Sequence, residues 1–431
     1  MPDFPSPERI IAELNDLRPY IDANDPHPRK GEAAAAEWLV DFANRWSLGD
    51  VNKHSMPATA RFSPYKIDDK TELANITIDT GHGDDEMLFL HAHYDIISPD
   101  AYPTGDISIV QDHLRQHIYR GLGGYDMLGG VAAILTALHG MKVNRRRRVR
   151  AILVFGEEND SEGTHAAFDS HNNLFEFDGN KFALSTEISV GKTLKDDYHL
   201  IVGRPGRIEL KGTIYGKAMH AGGVKPDVVD LLASQRMAKV DTMLLREFPQ
   251  HLQKHPKDSR GILQGTIATS DHTAKKSGGM STNPGVDFKI NVHYTDPEQG
   301  MAQLFPLIRR KIEETLGDDN FELHQPTRTM PWTEPWLEEL DSSIHRYPHI
   351  IQQFAREAVG TTQNDVDFYG GTGVADENIL AKHNIATVCV PAQGEGEHTD
   401  EELVNIRSVS DYQVPVIQKA AASPDALDGL E

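Results

Sequence analysis

The chain has 431 residues, and its 65 acidic against 43 basic side chains give a formal charge of −22, which argues against nucleic acid or an anionic membrane surface as a partner. The length suits about two domains with a substantial core, and 39% hydrophobic with 25% charged residues is the composition of an ordinary globular protein. A single cysteine, Cys389, excludes an intramolecular disulfide framework and any cysteine-rich zinc site.

The first residues, Met-Pro-Asp-Phe-Pro-Ser-Pro, lack a basic segment followed by an apolar one, and no apolar stretch approaches membrane length, so a cytoplasmic location is expected. Pro5 to Asn44 reads as two helices, the first set by Ile10, Ile11, Leu14 and Leu17 and the second by Ala33 to Phe42. Leu73–Ile78 and Met87–Leu90 read as neighbouring strands separated by the turn Gly81-His82-Gly83. Asp126 stands at the N-cap position of an apolar helix from Met127 to about Leu138, stopped by Gly140. Arg145 to Arg148 then reads as a solvated turn.

Beyond Gly203-Arg204-Pro205-Gly206 the pattern changes. Ile208, Leu210 and Ile214 alternate with polar residues as in a half-exposed strand, followed by a helix from about Val228 to Leu245. A second alternating strand carries Phe288, Ile290 and Val292 inward, and a helix follows over Leu304–Leu316. A small α+β layer over 206–325 is therefore expected as an insertion in a larger α/β domain made of 1–205 and 326–431, resuming near Trp332. The last residues, Ala421 to Glu431, are expected to fray.

Chemistry concentrates where short apolar runs end. Met87–Leu90 leads into His91-Ala92-His93-Tyr94-Asp95, Ala151–Phe155 into Glu157-Glu158, Phe182–Leu184 into Glu187, and Ile385–Val390 into Gly394-Glu395-Gly396-Glu397-His398. In an open α/β sheet, ligands bind outside the carboxyl ends of the strands, so these endings imply one shared site. Adjacent glutamates at the mouth of a buried strand are costly unless a metal or a transferable proton needs them. His and carboxylate ligands without thiolates suit Zn²⁺, Co²⁺ or Mn²⁺. Five candidates, His93, Asp126, Glu158, Glu187 and His398, are too many for one tetrahedral ion with a bound water. They suit two ions, roughly 3.5–4 Å apart, if one carboxylate bridges. Asp126 is the expected bridge, because the other four then divide into two pairs.

His93-Tyr94-Asp95, Gly123-Gly124-Tyr125-Asp126-Met127-Leu128-Gly129-Gly130, Glu157-Glu158, Ser185-Thr186-Glu187 and His398-Thr399-Asp400-Glu401-Glu402 resemble the ordered motifs of the zinc aminoacylase/carboxypeptidase family. That family includes carboxypeptidase G, acetylornithine deacetylase, succinyl-diaminopimelate desuccinylase, aminoacylase and several dipeptidases. The resemblance covers most of the chain. It implies a mixed central sheet flanked by helices, with a ferredoxin-like insertion serving as lid and dimerisation domain. By this resemblance one metal takes His93, Asp126 and Glu187, the other takes Asp126, Glu158 and His398, and Glu157 is the general base.

The chemistry asks for the same roles, since a water between the metals needs their charge to lower its pKa and a carboxylate to carry its proton to the leaving amine. Asp95 follows His93 at a spacing that lets it orient the imidazole or the base. His91 is read as a supporting or structural histidine. In the insertion, Gly216-Lys217-Ala218-Met219-His220-Ala221-Gly222-Gly223 resembles the segment whose histidine reaches across a homodimer to polarise the scissile carbonyl. Asn283-Pro284 loosely resembles a substrate-contacting region, and Gly370-Gly371-Thr372-Gly373 resembles the loop that holds the substrate's carboxylate end.

Two positions depart from the family pattern. Leu128 replaces a frequent lysine, and Asn291-Val292-His293-Tyr294-Thr295 lacks the arginine that clamps a substrate carboxylate in many relatives. His293, Tyr294 or backbone amides around Gly371 are the candidates to replace it. Glu187, where dipeptidases and aminopeptidases of the family tend to carry Asp, implies a preference for N-acyl amino acids over free dipeptides. Acidic residues able to hold a free ammonium, Asp376, Glu377, Glu395 and Glu397, are not placed by the sequence. A dinuclear amide hydrolase is expected. A dipeptidase or aminopeptidase on the same fold and a non-catalytic binding relative are the alternatives, and a dinuclear phosphoesterase would show more His and Asn ligands with Arg or Lys at the metals.

Overall fold

A computed structural model of the chain describes residues 3–20, 22, 29–55, 73–99, 108–159, 161–169, 173–190, 194, 197–220, 229, 231–248, 253–254, 263–264, 266–275, 282–294, 300–325, 328–330, 343–360, 366–371, 373–399 and 401–423. The chain forms two compact units, one of Met1–Val202, Pro335–Gly371 and Ala375–Glu431, the other of Gly203–Glu334 with Thr372–Val374. Trp332 lies outside the described residues.

The first unit opens with α1 (Pro7–Asn15) and α2 (Lys30–Arg45). Ile10, Ile11 and Leu14 recur on one face of α1 and are fully buried. Then come β1 (Asp50–Ser55), β2 (Ala74–Gly81), β3 (Glu86–His93), β4 (Val110–Gln111), β5 (Ile118–Arg120), α3 (Gly129–Leu138), β6 (Arg147–Val154), α4 (Glu162–Ala167), β7 (Asn180–Ser185) and β8 (His199–Gly203).

The second unit contributes β9 (Gly206–Tyr215), α5 (Ala233–Glu247), β10 (Gln253–Lys254), β11 (Leu263–Gln264), β12 (Thr266–Ala274), β13 (Gly285–Tyr294), α6 (Gly300–Leu316), β14 (Phe321–Leu323) and β15 (Arg328–Met330). Its antiparallel sheet has the order β12-β13-β9-β14, with β15 also on β9. A helix follows β9 and another follows β13, the β-α-β-β-α-β arrangement of ferredoxin-like folds. Ile208, Leu210, Phe288, Ile290 and Val292 form its core with Met237 and Val240 of α5 and Ile308 and Ile312 of α6. α5 begins at Ala233, later than the sequence pattern suggested.

The chain returns to the first unit with α7 (Ser343–Ala358), β16 (Asp367–Gly370), α8 (Asp376–Lys382), β17 (Ala386–Cys389), β18 (Gly394–Glu395), β19 (Leu403–Asn405) and α9 (Val414–Ala422). Its main sheet has the order β1-β2-β6-β3-β7-β17-β8-β16. β6, β3, β7 and β17 run parallel to one another, β2 is antiparallel to β6, and β8 is antiparallel to β17. Leu88 and Leu90 of β3 enter one core with α1, α3 and α9, while Met87 and Phe89 enter another with Phe175 and Leu380, so the sheet is covered on both faces.

Three local expectations are corrected. β2 and β3 are not neighbours, because β6 inserts between them and pairs with both. Only the first half of the arginine run is the expected solvated turn: Arg145 and Arg146 are exposed in a turn, whereas Arg147 and Arg148 begin β6. Arg147 is 2% exposed, pairs with Glu86 at 2.5 Å and donates to the Ala420 carbonyl, while Arg146 and Arg148 meet Asp85 and Asp84. Ala421 belongs to α9 and is fully buried, so the fraying expected from that residue onward does not begin there. Among the described residues no helix is long and apolar enough to cross a membrane.

Candidate metal centre

The four apolar runs that end in His, Asp or Glu are the four consecutive parallel strands β6, β3, β7 and β17, so their carboxyl ends share one edge of the sheet. His93 is the last residue of β3, Glu157 and Glu158 follow β6, Glu187 follows β7, and His398 lies beyond β17. Asp126 comes from an irregular turn over Gly124–Leu128, with φ −107° and ψ 92°, and its peptide bond to Met127 is cis. It is not the N-cap of α3, whose preceding residue is Leu128 with no side-chain cap. Its carboxylate faces two imidazoles instead.

Asp126 Oδ1 stands 3.2 Å from His93 Nε2, and Oδ2 stands 3.0 Å from His398 Nε2. Glu187 Oε2 is 3.6 Å from His93 Nε2, and Glu158 Oε1 is 3.2 Å from His398 Nε2. The cluster thus has two halves joined by one carboxylate. His93 and Glu187 are buried, whereas the His398 side chain is 47% exposed and marks the open side. Ligand atoms of His93, Asp126 and Glu158 all lie within 4.8 Å of one another.

Backbone hydrogen bonds fix these positions. The Asp95 carboxylate accepts the N–H groups of Glu157 at 3.0 Å and Glu158 at 3.1 Å, and the Asp95 carbonyl lies 2.9 Å from His93 Nδ1. Glu402 accepts from the N–H groups of Gly123, Tyr125 and Asp126. Behind the glutamate loop, Arg29 donates to both Glu32 oxygens at 2.6 and 2.7 Å and to Glu162. Gly156, with φ +63°, sits against this cluster, where a Cβ would come within 2.9 Å of Arg29 Nη2. Glu402 lies inside a motif quoted above but its role depends on a distant loop. The Arg29 cluster and its contact with Glu162 give no sequence signal.

The electrostatics call for a cation. Burial works against a charged His93, yet Glu187, Asp126 and Asp95 hold its pKa well above the usual histidine value. Hydrogen bonds to Asp126 and Glu158 push His398 up to about 12. Burial would raise Asp126, but His398 and His93 pull it well below the usual range. Glu157 is pushed well above it by burial, reinforced by Glu187, Asp376 and Glu158. Burial and Asp126 raise Glu158 as well. Carboxylates that draw protons onto both imidazoles, with only nitrogen and oxygen donors, fit a divalent ion.

Glu157 and Asp95 adjoin this cluster. His91 does not join it, since its Nε2 lies 3.1 Å from the Thr164 hydroxyl and 3.5 Å from Asp376. Gly371 is buried in the first unit, and Thr372 lies outside the described residues. His220, Asn283, His293 and Tyr294 belong to the second unit, where His220 is exposed and Asn283 is half-buried. The Tyr294 ring packs on Gly206. Burial and Arg207, its partner in register on β9, push His293 down to about 4, so at neutral pH this imidazole offers a hydrogen bond and no charge.

The model of peptidase family M20/M25/M40 matches residues 89–414. No curated protein matches the sequence significantly. Among solved structures, human carnosine dipeptidase 1 is similar at TM-score 0.71 and 11% identity, covering 97% of this chain and 95% of that one. A tripeptidase from Staphylococcus aureus has TM-score 0.62 and 17% identity over 97% and 98%. A metallo-carboxypeptidase from Sulfolobus solfataricus has TM-score 0.66 and 12% identity over 98% and 100%. These likenesses concern the fold. The family match spans most of the chain and every residue of the cluster, and the chain belongs to peptidase family M20/M25/M40, a family of metal-dependent hydrolases of amide bonds.

Proposed function

We propose that this enzyme cleaves an amide bond of a small substrate, an N-acyl amino acid or a short peptide, using two divalent ions. Zinc is the first candidate, with cobalt or manganese as alternatives. The observation that carries the reading is the Asp126 carboxylate, with one oxygen turned to His93 and the other to His398. His93, Asp126 and Glu187 would hold one ion, and His398, Asp126 and Glu158 the other. When bound, the ions supply positive charge that lowers the pKa of a water and stabilises charge developing on the scissile carbonyl.

Glu157 is the general base in this reading. Beside the cluster, its carboxylate would accept the attacking water's proton and pass it to the leaving amine. Asp95 holds the backbone of both glutamates, so that neighbouring side chains serve different ends. The second unit is read as a homodimerisation element with His220 acting in the neighbouring subunit. The resemblance of the Gly216–Gly223 segment and the exposure of His220 support it. A cytoplasmic location is kept as part of the proposal. Turnover of a panel of N-acyl amino acids and dipeptides after reconstitution with zinc, cobalt or manganese tests it. No hydrolysis of any member by the metal-loaded protein would end the reading.

A further inference from the structure

Asp376 is the first residue of α8 and is 1% exposed. α8 leads back into β17, so its beginning lies toward the carboxyl edge of the parallel strands, the edge that carries the metal cluster. The carboxylate is not used to start the helix, because Asn378 Oδ1 accepts the Ala375 N–H at 2.9 Å. Neither Asp376 oxygen has a hydrogen-bond partner among the described residues. The His91 imidazole stands 3.5 Å away, with the same nitrogen 3.1 Å from the Thr164 hydroxyl. The Glu157 loop, which follows β6, lies at that same carboxyl edge. Asp376 takes part in neither half of the His–carboxylate cluster.

A buried carboxylate without hydrogen bonds is costly, and a cation placed against it removes that cost. A peptide with a free amino terminus brings one to this position. Its ammonium nitrogen is two bonds, about 2.5 Å, from the scissile carbonyl carbon. The acceptor for that ammonium must therefore stand beside the base. An N-acyl amino acid presents an apolar group there instead and leaves the carboxylate desolvated and unpaired.

We propose that Asp376 receives the α-ammonium of the substrate, and that the substrates are short peptides with an unblocked amino terminus. The inference rests on the amide-hydrolase reading above and narrows it, against the N-acyl preference implied by Glu187.

Three substrates test it on the zinc-loaded full chain: alanyl-leucine, N-acetylalanyl-leucine and propionyl-leucine, the last differing from the first only by the missing amino group. The wild type should cleave alanyl-leucine with a kcat/KM about 100-fold or more above propionyl-leucine. Asp376→Asn should lower kcat/KM for alanyl-leucine, mainly through KM, and shrink that ratio at least about tenfold. An unchanged ratio with equal losses on both substrates assigns Asp376 to support or base tuning and overturns the proposal. So does a wild type that prefers propionyl-leucine, a result that leaves the amide-hydrolase reading intact. Hydrolysis of none of the three sinks both. Should the variant fail to fold, inhibition of the wild type decides: alaninamide must bind at least about tenfold more tightly than propionamide.

Discussion

Glu402 accepts the backbone N–H of Asp126 at 3.0 Å across a sequence separation of 276 residues. The same carboxylate takes the N–H groups of Tyr125 at 2.7 Å and Gly123 at 3.1 Å, so one side chain sets the turn that aims Asp126 at both imidazoles. Glu402→Gln replaces one acceptor oxygen with a donor facing N–H groups. It should lower stability by about 1–3 kcal/mol and metal affinity by roughly 10–100-fold. Urea unfolding and metal titration of the same preparation check this, and wild-type values in both would refute it.

Metal content is the most direct expectation. Reconstituted protein should hold two divalent ions per chain and lose activity with them on chelation, since Asp126 offers one oxygen to each half of the cluster. Elemental analysis of fully active protein returning one ion or none would contradict the bridge.

Glu157 and Glu158 should separate cleanly. Glu157→Gln should keep both ions and the fold while losing roughly 10²–10⁴ in kcat. Glu158→Gln should instead lower metal occupancy, because Glu158 stands 3.2 Å from His398. Indistinguishable behaviour of the two variants would show that the division of labour is wrong.

Subunit mixing examines His220. Equal amounts of His220→Ala and Glu157→Gln chains, each inactive alone, should form heterodimers with one intact site and recover about a quarter of wild-type activity. Absence of recovery after confirmed exchange rules out action across the interface.

Glu32 predicts a pH dependence of stability. It is fully buried and shares Arg29 with Glu162, and burial raises its pKa to about 7 from 4.5. Between those values the folded state holds a proton that the unfolded state has released, so stability falls as pH rises through this window and levels off above it. The loss is on the order of 3 kcal/mol. Urea unfolding of the metal-free protein at pH 5 to 8 should give a flatter profile for Glu32→Gln, and parallel profiles would exclude Glu32 as the source.

The strand-end pattern was legible because chemistry-bearing residues sit two or three positions beyond apolar runs, a local feature that no tertiary contact has to create. His93, Glu157, Glu158 and Glu187 are of this kind. Strand order was not legible: β6 lies between β2 and β3 although it follows both, since register depends on pairings that close long loops. Asp126 before an apolar helix reads as an N-cap in any sequence, and only the backbone at Asp126 and Met127 turns its carboxylate away. Arg147 pairs with Glu86 across a strand neighbour, which a run of arginines does not reveal. Glu402 acts through a loop far from it in the chain, so its residue type alone carried little.

The position of β17 between β7 and β8 governs how the protein can be born. A growing chain that has released β7 and β8 still presents open edges on both, and the strand that fills the gap is Ala386–Cys389. At ribosomal speeds of about 5–20 residues per second, the intervening stretch takes roughly 10–40 s to emerge. During that interval the second unit, contiguous in sequence apart from a short later segment, can already fold, while the first waits with unpaired backbone exposed. The metal cluster is completed later still, because His398 leaves the ribosome after β17. Nascent chains of this enzyme are therefore catalytically silent until His398 has emerged, and the interval before β17 arrives is when a chaperone has most to protect.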